Sequence, residues 1–426
     1  MQLTHYPALD ERLYTKVLSN GLTVAVLKKT GFSKKCAYFA TNYGSIDTKF
    51  TLGGRSMTSP DGVAHYLEHK MFDLPGRDVM AEFAELGANP NAFTSYSMTA
   101  YYFTCTQHFE RCLRLLLEFV STPYFTNESV EKERGIIGQE IRMYEDNADS
   151  KVYEDLFASM YRHHPVRIPI AGSEGSIAQI TAQTLYDCYR AFYHPGNMIL
   201  CVVGDVDPQQ VADLAEQLLP PEPGVLPQRD YGSEESMICQ GCDTQRFMDV
   251  AMPTFQLGFK CPWPGTGEAA AVCQITGDLA AEALMGESSD LYLRLYREGL
   301  IDGSFAAGFE DLPGAALLSC GGDSKDPDAV RRAILEEARR LSREGIDENL
   351  FLRLKKSALG RRYRSLDSFD SVCFRICADH FDGISYLDFP RHYEAVTKEQ
   401  VERFLSHRIR EENCAMSVVL PRKQEV

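Results

Sequence analysis

The sequence predicts an α+β protein of two similar domains, each with a mostly antiparallel β-sheet flanked by α-helices. Three observations support this fold class: the chain length, the alternation of strand and helix patterns in both halves, and a weak internal repeat. A chain of 426 residues exceeds what one ordinary hydrophobic core accommodates, so two domains are expected. Its hydrophobic content of 44% is ordinary for globular domains.

A proline-rich segment marks the expected boundary between the domains. Four prolines fall within residues 220–227, and polar turn-forming residues follow them. Such a composition is typical of an interdomain linker. We therefore expect an N-terminal domain over 1–218, a linker over 219–236 and a second domain over 237–426.

Strand and helix patterns alternate along both halves. Two short apolar segments of the first half are typical of strands: "GLTVAVLKK" and "MILCVVGDV". Five segments with apolar residues at helical spacing predict helices, three in the first half and two in the second: "DVMAEFAELG", "HFERCLRLLLEFV", "DPQQVADLAEQLL", "AVRRAILEEARRLSREG" and "NLFLRLKKSALGRRYRSL".

Two segments, one before the linker and one near the end of the chain, resemble each other. Thr181 aligns with Thr397 and Asn197 with Asn413, both at an offset of 216 residues. Each segment predicts a helix, a turn and a strand in that order. The identity is slight, so chance similarity is the alternative. An offset near half the chain length is nevertheless what two duplicated domains would give.

Charge and composition exclude several classes of function. The net charge of −16 argues against nucleic acid as a partner, because phosphates would be repelled. No apolar run is long enough for a transmembrane helix, and the first residues lack the apolar core of a signal peptide. Thirteen scattered cysteines predict free thiols in a reducing compartment, so we expect a cytoplasmic location.

The segment "GVAHYLEHKMF", residues 62–72, has the side-chain spacing of half a metal site. On a helix, His65 and His69 project from one face one turn apart, so two imidazoles can reach one cation. Glu68 lies on that face but is offset, where it could hold a water without binding the metal. The pattern H-x-x-E-H is the inverted form of the zinc-peptidase motif. The alternative is the solvated polar face of a surface helix.

A zinc site with two histidines needs a carboxylate from elsewhere, and "SVEKERGIIGQEIRMYEDN", residues 129–147, offers two. Glu133 and Glu140 are two helical turns apart, on the face that also carries Ile136 and Ile137. A carboxylate on a buried face is costly unless it is paired or binds a metal. Arginine partners are the alternative, but the nearby histidine motif favours a metal.

With these motifs the sequence resembles the pitrilysin family of zinc peptidases, which includes insulysin and the mitochondrial processing peptidase. The short bacterial branch, with two domains per chain, is the most similar. The resemblance rests on four segments in the family's order: "HYLEH", "NAFTSYSMTAYYF", "EKERGIIGQEI" and "YHPGNMILCVVGDVD".

The resemblance implies the composition of the metal site. One Zn²⁺ per chain would be held by His65, His69 and Glu140. Glu68 would be the general base of a zinc endopeptidase, and Glu133 the supporting carboxylate. The resemblance also implies that the two domains form one half of a clamshell.

The resemblance further implies how a peptide binds. The segment "NAFTSYSMTAYYF", residues 91–103, predicts a strand from its alternating, β-branched and aromatic residues. An ordinary core strand is the alternative, but the resemblance makes it an edge strand beside the zinc. Asn91 and Ala92 would then bond the backbone of an extended substrate, and Phe72 would line the pocket. Such binding suits unfolded peptides or leader segments.

One part of the family pattern is missing. The family uses an arginine and a tyrosine of the second domain to hold substrate, but Leu295 and Asp302 occupy those positions in "RLYREGLID", residues 294–302. Arg294 or Arg297 could replace the arginine after a small slip. The resemblance therefore predicts a heterodimer with a zinc-less paralogous subunit, or alternatively a homodimer. The competing hypothesis is a non-catalytic scaffold that holds a peptide or partner without cleaving it.

Overall fold

The computed structural model describes residues 1–239 and 241–422; Gln240 and the last four residues of the predicted second domain lie outside the described residues. The strands, in chain order, are Gln2–Tyr6 (β1), Glu11–Val17 (β2), Thr23–Lys28 (β3), Lys35–Thr41 (β4), Lys49–Leu52 (β5), Arg55–Thr58 (β6), Asp73–Leu74 (β7), Arg77–Asp78 (β8), Asn89–Thr94 (β9), Thr99–Cys105 (β10), Met198–Gly204 (β11), Gln228–Arg229 (β12), Thr244–Met248 (β13), Thr254–Cys261 (β14), Ala306–Leu312 (β15), Ala315–Asp323 (β16) and Cys414–Pro421 (β17).

The α-helices, in chain order, are Val63–Met71 (α1), Val79–Glu85 (α2), Phe109–Val120 (α3), Asn127–Glu145 (α4), Ala148–Met160 (α5), Glu174–Ile177 (α6), Ala182–Phe192 (α7), Pro208–Leu218 (α8), Glu268–Met285 (α9), Asp290–Arg297 (α10), Pro327–Glu344 (α11), Glu348–Ser365 (α12), Phe369–Phe381 (α13), Phe389–Ala395 (α14) and Lys398–Arg408 (α15). The helices predicted from apolar spacing are confirmed as α2, α3, α8, α11 and α12. None of these described helices is long and apolar enough to cross a membrane.

Packing divides the chain into two compact units, and neither unit is continuous in sequence. The first comprises Met1–Ile141, Pro169–Tyr231 and Tyr363–Asp388, and the second Arg142–Ile168, Gly232–Arg362 and the chain from Phe389 onward. Each half of the sequence therefore contributes one helical segment to the unit built mainly by the other half. The boundaries at 218 and 237 remain a prediction about the duplicated halves.

The first unit is built on a seven-stranded sheet with the order β1-β2-β3-β11-β4-β10-β9. Strands β3 and β11 are parallel, and all other neighbours are antiparallel. One edge of the sheet is formed by β9. Alternate side chains of the sheet, among them Phe39, Tyr101 and Val202, are buried in one core with residues of α1 and α3.

The second unit contains a five-stranded sheet with the order β13-β17-β14-β16-β15. Its first pair is parallel and the rest are antiparallel. This order matches β3-β11-β4-β10-β9 strand for strand, and β11 and β17 are the strands that the repeat aligned. The structure thus confirms two similar α+β domains with mostly antiparallel sheets.

A helix from the other half of the sequence covers one face of each large sheet. Helix α13 packs on β4 and β11 of the first sheet, where Cys373 lies against Cys36 and Cys201. Helix α5 packs on β14 and β17 of the second sheet in the same way. The two units therefore repeat the helix cover as well as the strand order.

The segment 91–103, which was expected to be one strand, is a hairpin. Strand β9 ends at Thr94 and β10 begins at Thr99, and the Met98 N–H donates to the Ser95 hydroxyl over 3.0 Å between them. The single-strand prediction was wrong because a serine that bonds nearby backbone favours a turn over a continued strand. The edge strand is β9 alone.

Part of the predicted linker packs on the first unit. Strand β12 pairs with β5 in a three-stranded sheet that β6 completes. Beside it, Arg229 Nε donates to Asp47 Oδ1 at 2.9 Å, and Asp47 is fully buried. A buried carboxylate paired in this way anchors the segment, because either charge would be costly to bury alone.

Candidate metal centre

Helix α1 presents an apolar face to the core. Val63 and Leu67 are completely buried there. The helix begins after Gly62, whose φ of 88° is favourable only for glycine. A Cβ on this residue would lie 2.5 Å from the carbonyl oxygen of Ala171. The close approach of two backbone segments therefore fixes where α1 begins.

Helix α4 carries both glutamates at the border between its buried and solvated faces. Ile137 is buried in the core, but Ile136, which was expected on the same face, is 48% exposed. The reason is that Ile136 lies about 100° around the helix from Ile137. The side chains of Glu133 and Glu140 are mostly buried, whereas that of Glu131 is 69% exposed, as expected.

Two buried polar side chains join α1 to the start of α4. The Tyr66 hydroxyl donates to the carbonyl oxygen of Val130, and Lys70 Nζ donates to that of Ser129 at 3.4 Å. Lys70 is also paired with Asp73. Sequence analysis missed these contacts, although two polar residues four apart on the inner side of α1 were a usable signal. They set the distance between the histidine helix and the glutamate helix.

The two helices bring together the three predicted metal ligands. His65 Nε2 lies 3.6 Å from Glu140 Oε1, and His69 Nε2 lies 3.4 Å from Glu140 Oε2. The two imidazole rings are 4.7 Å apart at their centroids. One donor atom from each of the three residues lies within 4.8 Å of the others. Among the described residues, these three form the one group of three or more histidine, cysteine, aspartate or glutamate side chains close enough to share a metal ion.

These donor atoms fit a zinc ion. Tetrahedral zinc with bonds of 2.0–2.2 Å separates its ligand atoms by about 3.3–3.6 Å. Each imidazole Nε2 lies at about that separation from one oxygen of Glu140, His65 at 3.6 Å from Oε1 and His69 at 3.4 Å from Oε2. Two imidazoles and one carboxylate are also the ligand set of known catalytic zinc sites, which leave one position open.

Glu133 lies behind His69 rather than in the ligand cluster. Its Oε1 is 3.0 Å from His69 Nδ1, so it can fix the tautomer that leaves Nε2 free to bind a metal. His65 has no equivalent partner, because its Nδ1 is buried without a hydrogen bond in the described structure. The supporting role of Glu133 stays a prediction, and this contact is compatible with it.

The carboxylates of the cluster create a negative electrostatic potential around His69. Burial alone would lower the pKa of His69, but hydrogen bonds to Glu133 and Glu140 and the charge of Glu68 raise it to about 10. Three carboxylates around one imidazole therefore favour a positive charge at this position. A metal cation could supply that charge in place of the proton.

Glu68 is not one of the three clustered side chains, and it contacts strand β9. Its Oε2 accepts a hydrogen bond of 2.7 Å from the Thr94 hydroxyl. Sequence analysis did not single out Thr94, although this threonine lies inside the segment that the resemblance assigned to substrate binding. The contact could not be predicted because it joins residues on two elements that meet only in the fold.

The three predicted substrate-binding residues have different environments. Asn91 and Ala92 lie on the edge strand β9, and the Ala92 N–H donates to Asn91 Oδ1 at 2.9 Å. A peptide pairing at Ala92 would have to replace that bond. Phe72 is partly buried against the edge of the apolar core and stacks on Phe119 with a centroid distance of 5.0 Å. The substrate roles of these residues stay predictions.

The positions of the missing arginine and tyrosine lie on and after α10. Leu295 is buried in the core of the second unit, whereas Arg294 and Arg297 are exposed. Asp302 is exposed and accepts a hydrogen bond from the Ser304 N–H at 2.8 Å. Neither side chain is a hydrogen-bond donor of the kind that the resemblance predicts at these positions.

The chain matches known protein families over most of its length. Residues 51–174 match the model described as Insulinase (Peptidase family M16), and residues 179–358 match the model described as Peptidase M16 inactive domain. The chain is 38% identical over 424 residues to a Bacillus subtilis protein named uncharacterized zinc protease YmfH, covering 98% of both chains.

The chain is also similar to a subunit of a mitochondrial peptidase and to a protein of solved structure. The mitochondrial-processing peptidase subunit beta of Neurospora crassa is 27% identical over 219 residues, which cover 50% of this chain and 44% of that one. The crystal structure of a protein described as an M16-like peptidase, from Alicyclobacillus acidocaldarius, superposes with a TM-score of 0.92. It is 33% identical, over 97% of this chain and 99% of that chain.

Proposed function

The chain belongs to the insulinase family, peptidase family M16, and on that premise we propose that it is a zinc-dependent endopeptidase of unfolded peptides or leader segments. The observation that carries the proposal is the convergence of His65, His69 and Glu140 beside Glu68. Glu68 is not among these three ligands, and a glutamate beside the ligand cluster is the residue that a zinc endopeptidase needs as a general base.

Each residue of the site has a separate proposed role in peptide hydrolysis. Zinc, when held by His65, His69 and Glu140, supplies a Lewis acid that lowers the pKa of water and polarises a carbonyl oxygen. Glu68 takes the proton of the attacking water and returns it to the leaving amine nitrogen. Glu133 holds the imidazole of His69 in place through Nδ1.

The edge strand β9 is the proposed substrate-binding element. Its outer side has no partner strand in the described sheet, so an extended peptide can add there by backbone hydrogen bonds. Asn91 and Ala92 would supply such bonds, whereas Phe72 would contribute only the part of its ring that the core leaves exposed. Recognition through backbone groups places few demands on the substrate sequence.

A partner subunit is also part of the proposal. Leu295 and Asp302 cannot hold substrate in the way the missing arginine and tyrosine would, which favours a zinc-less paralogous subunit as the source of those groups. A homodimer is the alternative. The relative from Neurospora crassa is itself named as a subunit.

The proposed location is the cytoplasm. Each of the thirteen cysteines is a free thiol in the structure. Free thiols persist in reducing compartments, whereas exported proteins tend to oxidise them to disulfides. The state of the thiols in the isolated native protein, measured by thiol labelling, tests this part of the proposal.

Cleavage of an unstructured quenched-fluorescence peptide by the purified, zinc-loaded chain tests the function. The control Glu85→Gln, which alters an exposed glutamate of α2, should cleave as the wild type does, with the partner subunit added if the chain alone is silent. Glu68→Gln should lose about 10²–10⁴-fold in rate at unchanged zinc content. Equal rates for Glu68→Gln and wild type would refute the mechanism.

The same assay separates the remaining hypotheses. Full activity of the monomer would refute the need for a partner subunit. A silent wild type that holds zinc would support the heterodimer, and its activity should then appear when the partner is added. A silent wild type that binds no zinc would instead support the non-catalytic scaffold.

A further inference from the structure

Thr94 makes a contact that none of the assigned roles explains. Its hydroxyl donates to Glu68 Oε2 at 2.7 Å, within the range of a strong hydrogen bond to a carboxylate. Thr94 is the last residue of β9, and Glu68 lies on α1, 26 residues earlier. The bond therefore joins the proposed general base to the proposed substrate-binding strand.

The local structure directs the Thr94 hydroxyl toward Glu68. Thr94 lies opposite Thr99 in the β9–β10 pair, and their hydroxyl oxygens are 3.5 Å apart. The fully buried Thr99 has a better acceptor in the Tyr43 carbonyl oxygen, at 2.9 Å. Thr99 therefore makes little demand on the Thr94 oxygen, and the Thr94 hydroxyl donates to the charged Glu68 carboxylate at the shorter distance of 2.7 Å. The β-branched side chain restricts how far that hydroxyl can turn.

We infer that Thr94 is the positioning residue for the general base, so that one strand places both the peptide and the carboxylate. The inference rests on the proposed function. With Oε2 fixed by Thr94, Oε1 is the oxygen that can take a proton from water. Because β9 also pairs with the peptide, the distance between the base and the scissile carbonyl is set within a single element.

The alternative is that the bond only ties α1 to β9 and serves stability. The two roles predict different results when the hydroxyl is removed without a change of shape. A stabilising tie would lower the melting temperature and leave the turnover of folded protein unchanged. A positioning role would slow turnover at constant substrate affinity, because misplaced catalytic groups lose rate rather than binding.

Three variants of the zinc-loaded chain test the inference. Thr94→Val is isosteric and lacks the hydroxyl, Thr94→Ser keeps it, and Thr104→Val makes the same change on β10 with no contact to Glu68. We expect Thr94→Val to lose roughly 10- to 100-fold in kcat at unchanged KM and zinc content. Thr94→Ser and Thr104→Val should stay within a few-fold of the wild type.

A crystal structure of Thr94→Val gives a readout that does not depend on activity. The inference predicts that the Glu68 carboxylate leaves its wild-type position while His65 and His69 keep theirs. An unmoved carboxylate, or a kcat for Thr94→Val within twofold of the wild type, would overturn it, as would a Thr94→Ser variant as slow as Thr94→Val. If the zinc-loaded wild type cleaves no peptide, either alone or with an added partner subunit, the proposed function fails, and the position of Glu68 alone decides the inference.

Discussion

Removal of the Glu133 carboxylate should weaken zinc binding without removing a ligand. Glu133 Oε1 lies 3.0 Å from His69 Nδ1, and both side chains are largely buried. Partners in this position typically contribute 10- to 100-fold in metal affinity, or about 1.4–2.7 kcal/mol. This free energy agrees with that of a hydrogen bond to a charged group, which is about 1.5–3 kcal/mol.

Two substitutions separate the contributions of charge and hydrogen bonding. Glu133→Ala removes both and should lose the full 10- to 100-fold in affinity. Glu133→Gln keeps an acceptor for His69 Nδ1–H but not the charge, so its loss should be smaller. The control Glu131→Ala changes a carboxylate of the same helix that is 69% exposed, and its affinity should match the wild type.

Competition for zinc against a chelating dye measures these affinities directly. The expected order of dissociation constants is wild type equal to Glu131→Ala, then Glu133→Gln, then Glu133→Ala. An affinity of Glu133→Ala within twofold of the wild type would refute the assigned role. So would an equal loss in the Glu131→Ala control, because the effect would then not depend on contact with His69.

Three further predictions concern stability. Tyr66→Phe removes a buried hydrogen bond to the Val130 carbonyl, which keeps its helical bond within α4, and should cost about 0.5–1.5 kcal/mol, seen as a lower melting temperature in thermal denaturation. In metal-free protein the neighbouring carboxylates outweigh burial and raise the pKa of His69 from 6.5 to about 10. Protonated His69 therefore stabilises the folded state fully below about pH 6.5, and this stabilisation is lost as the pH rises toward 10. The melting temperature of the metal-free wild type should fall over that range. The variant His69→Asn should lack this fall. Zinc at about 100 times its dissociation constant should stabilise the wild type by about 2.7 kcal/mol and leave His65→Ala unchanged; equal shifts would contradict the ligand assignment.

Local patterns in the sequence were sufficient to find the ligand helices. The spacing of His65 and His69 is a property of one helical turn, so it survives in any fold that keeps α1 helical. Glu140 was found by a different argument, namely the cost of a carboxylate on a partly buried face. Ile136 was predicted on the same face, but its side chain is 48% exposed, because helical spacing alone does not place the border between core and solvent.

The parts that the sequence analysis missed depend on contacts between distant segments. The division of residues 91–103 into β9 and β10 depends on a turn that Ser95 stabilises, which a count of alternating residues does not detect. The placement of α5 and α13 on the sheet of the other half results from tertiary packing, and helical periodicity does not specify a partner. The bond from Thr94 to Glu68 likewise exists only once β9 and α1 are packed together.

Anomalous diffraction at the zinc absorption edge, from crystals of the zinc-loaded chain, tests the central claim most directly. We expect one anomalous peak per chain at about 2.0–2.2 Å from His65 Nε2, His69 Nε2 and a Glu140 oxygen. The peak should vanish in Glu140→Ala crystals soaked at the same zinc concentration. A zinc-loaded chain with no peak at this cluster, or with its peak elsewhere, would contradict the assignment of the metal centre.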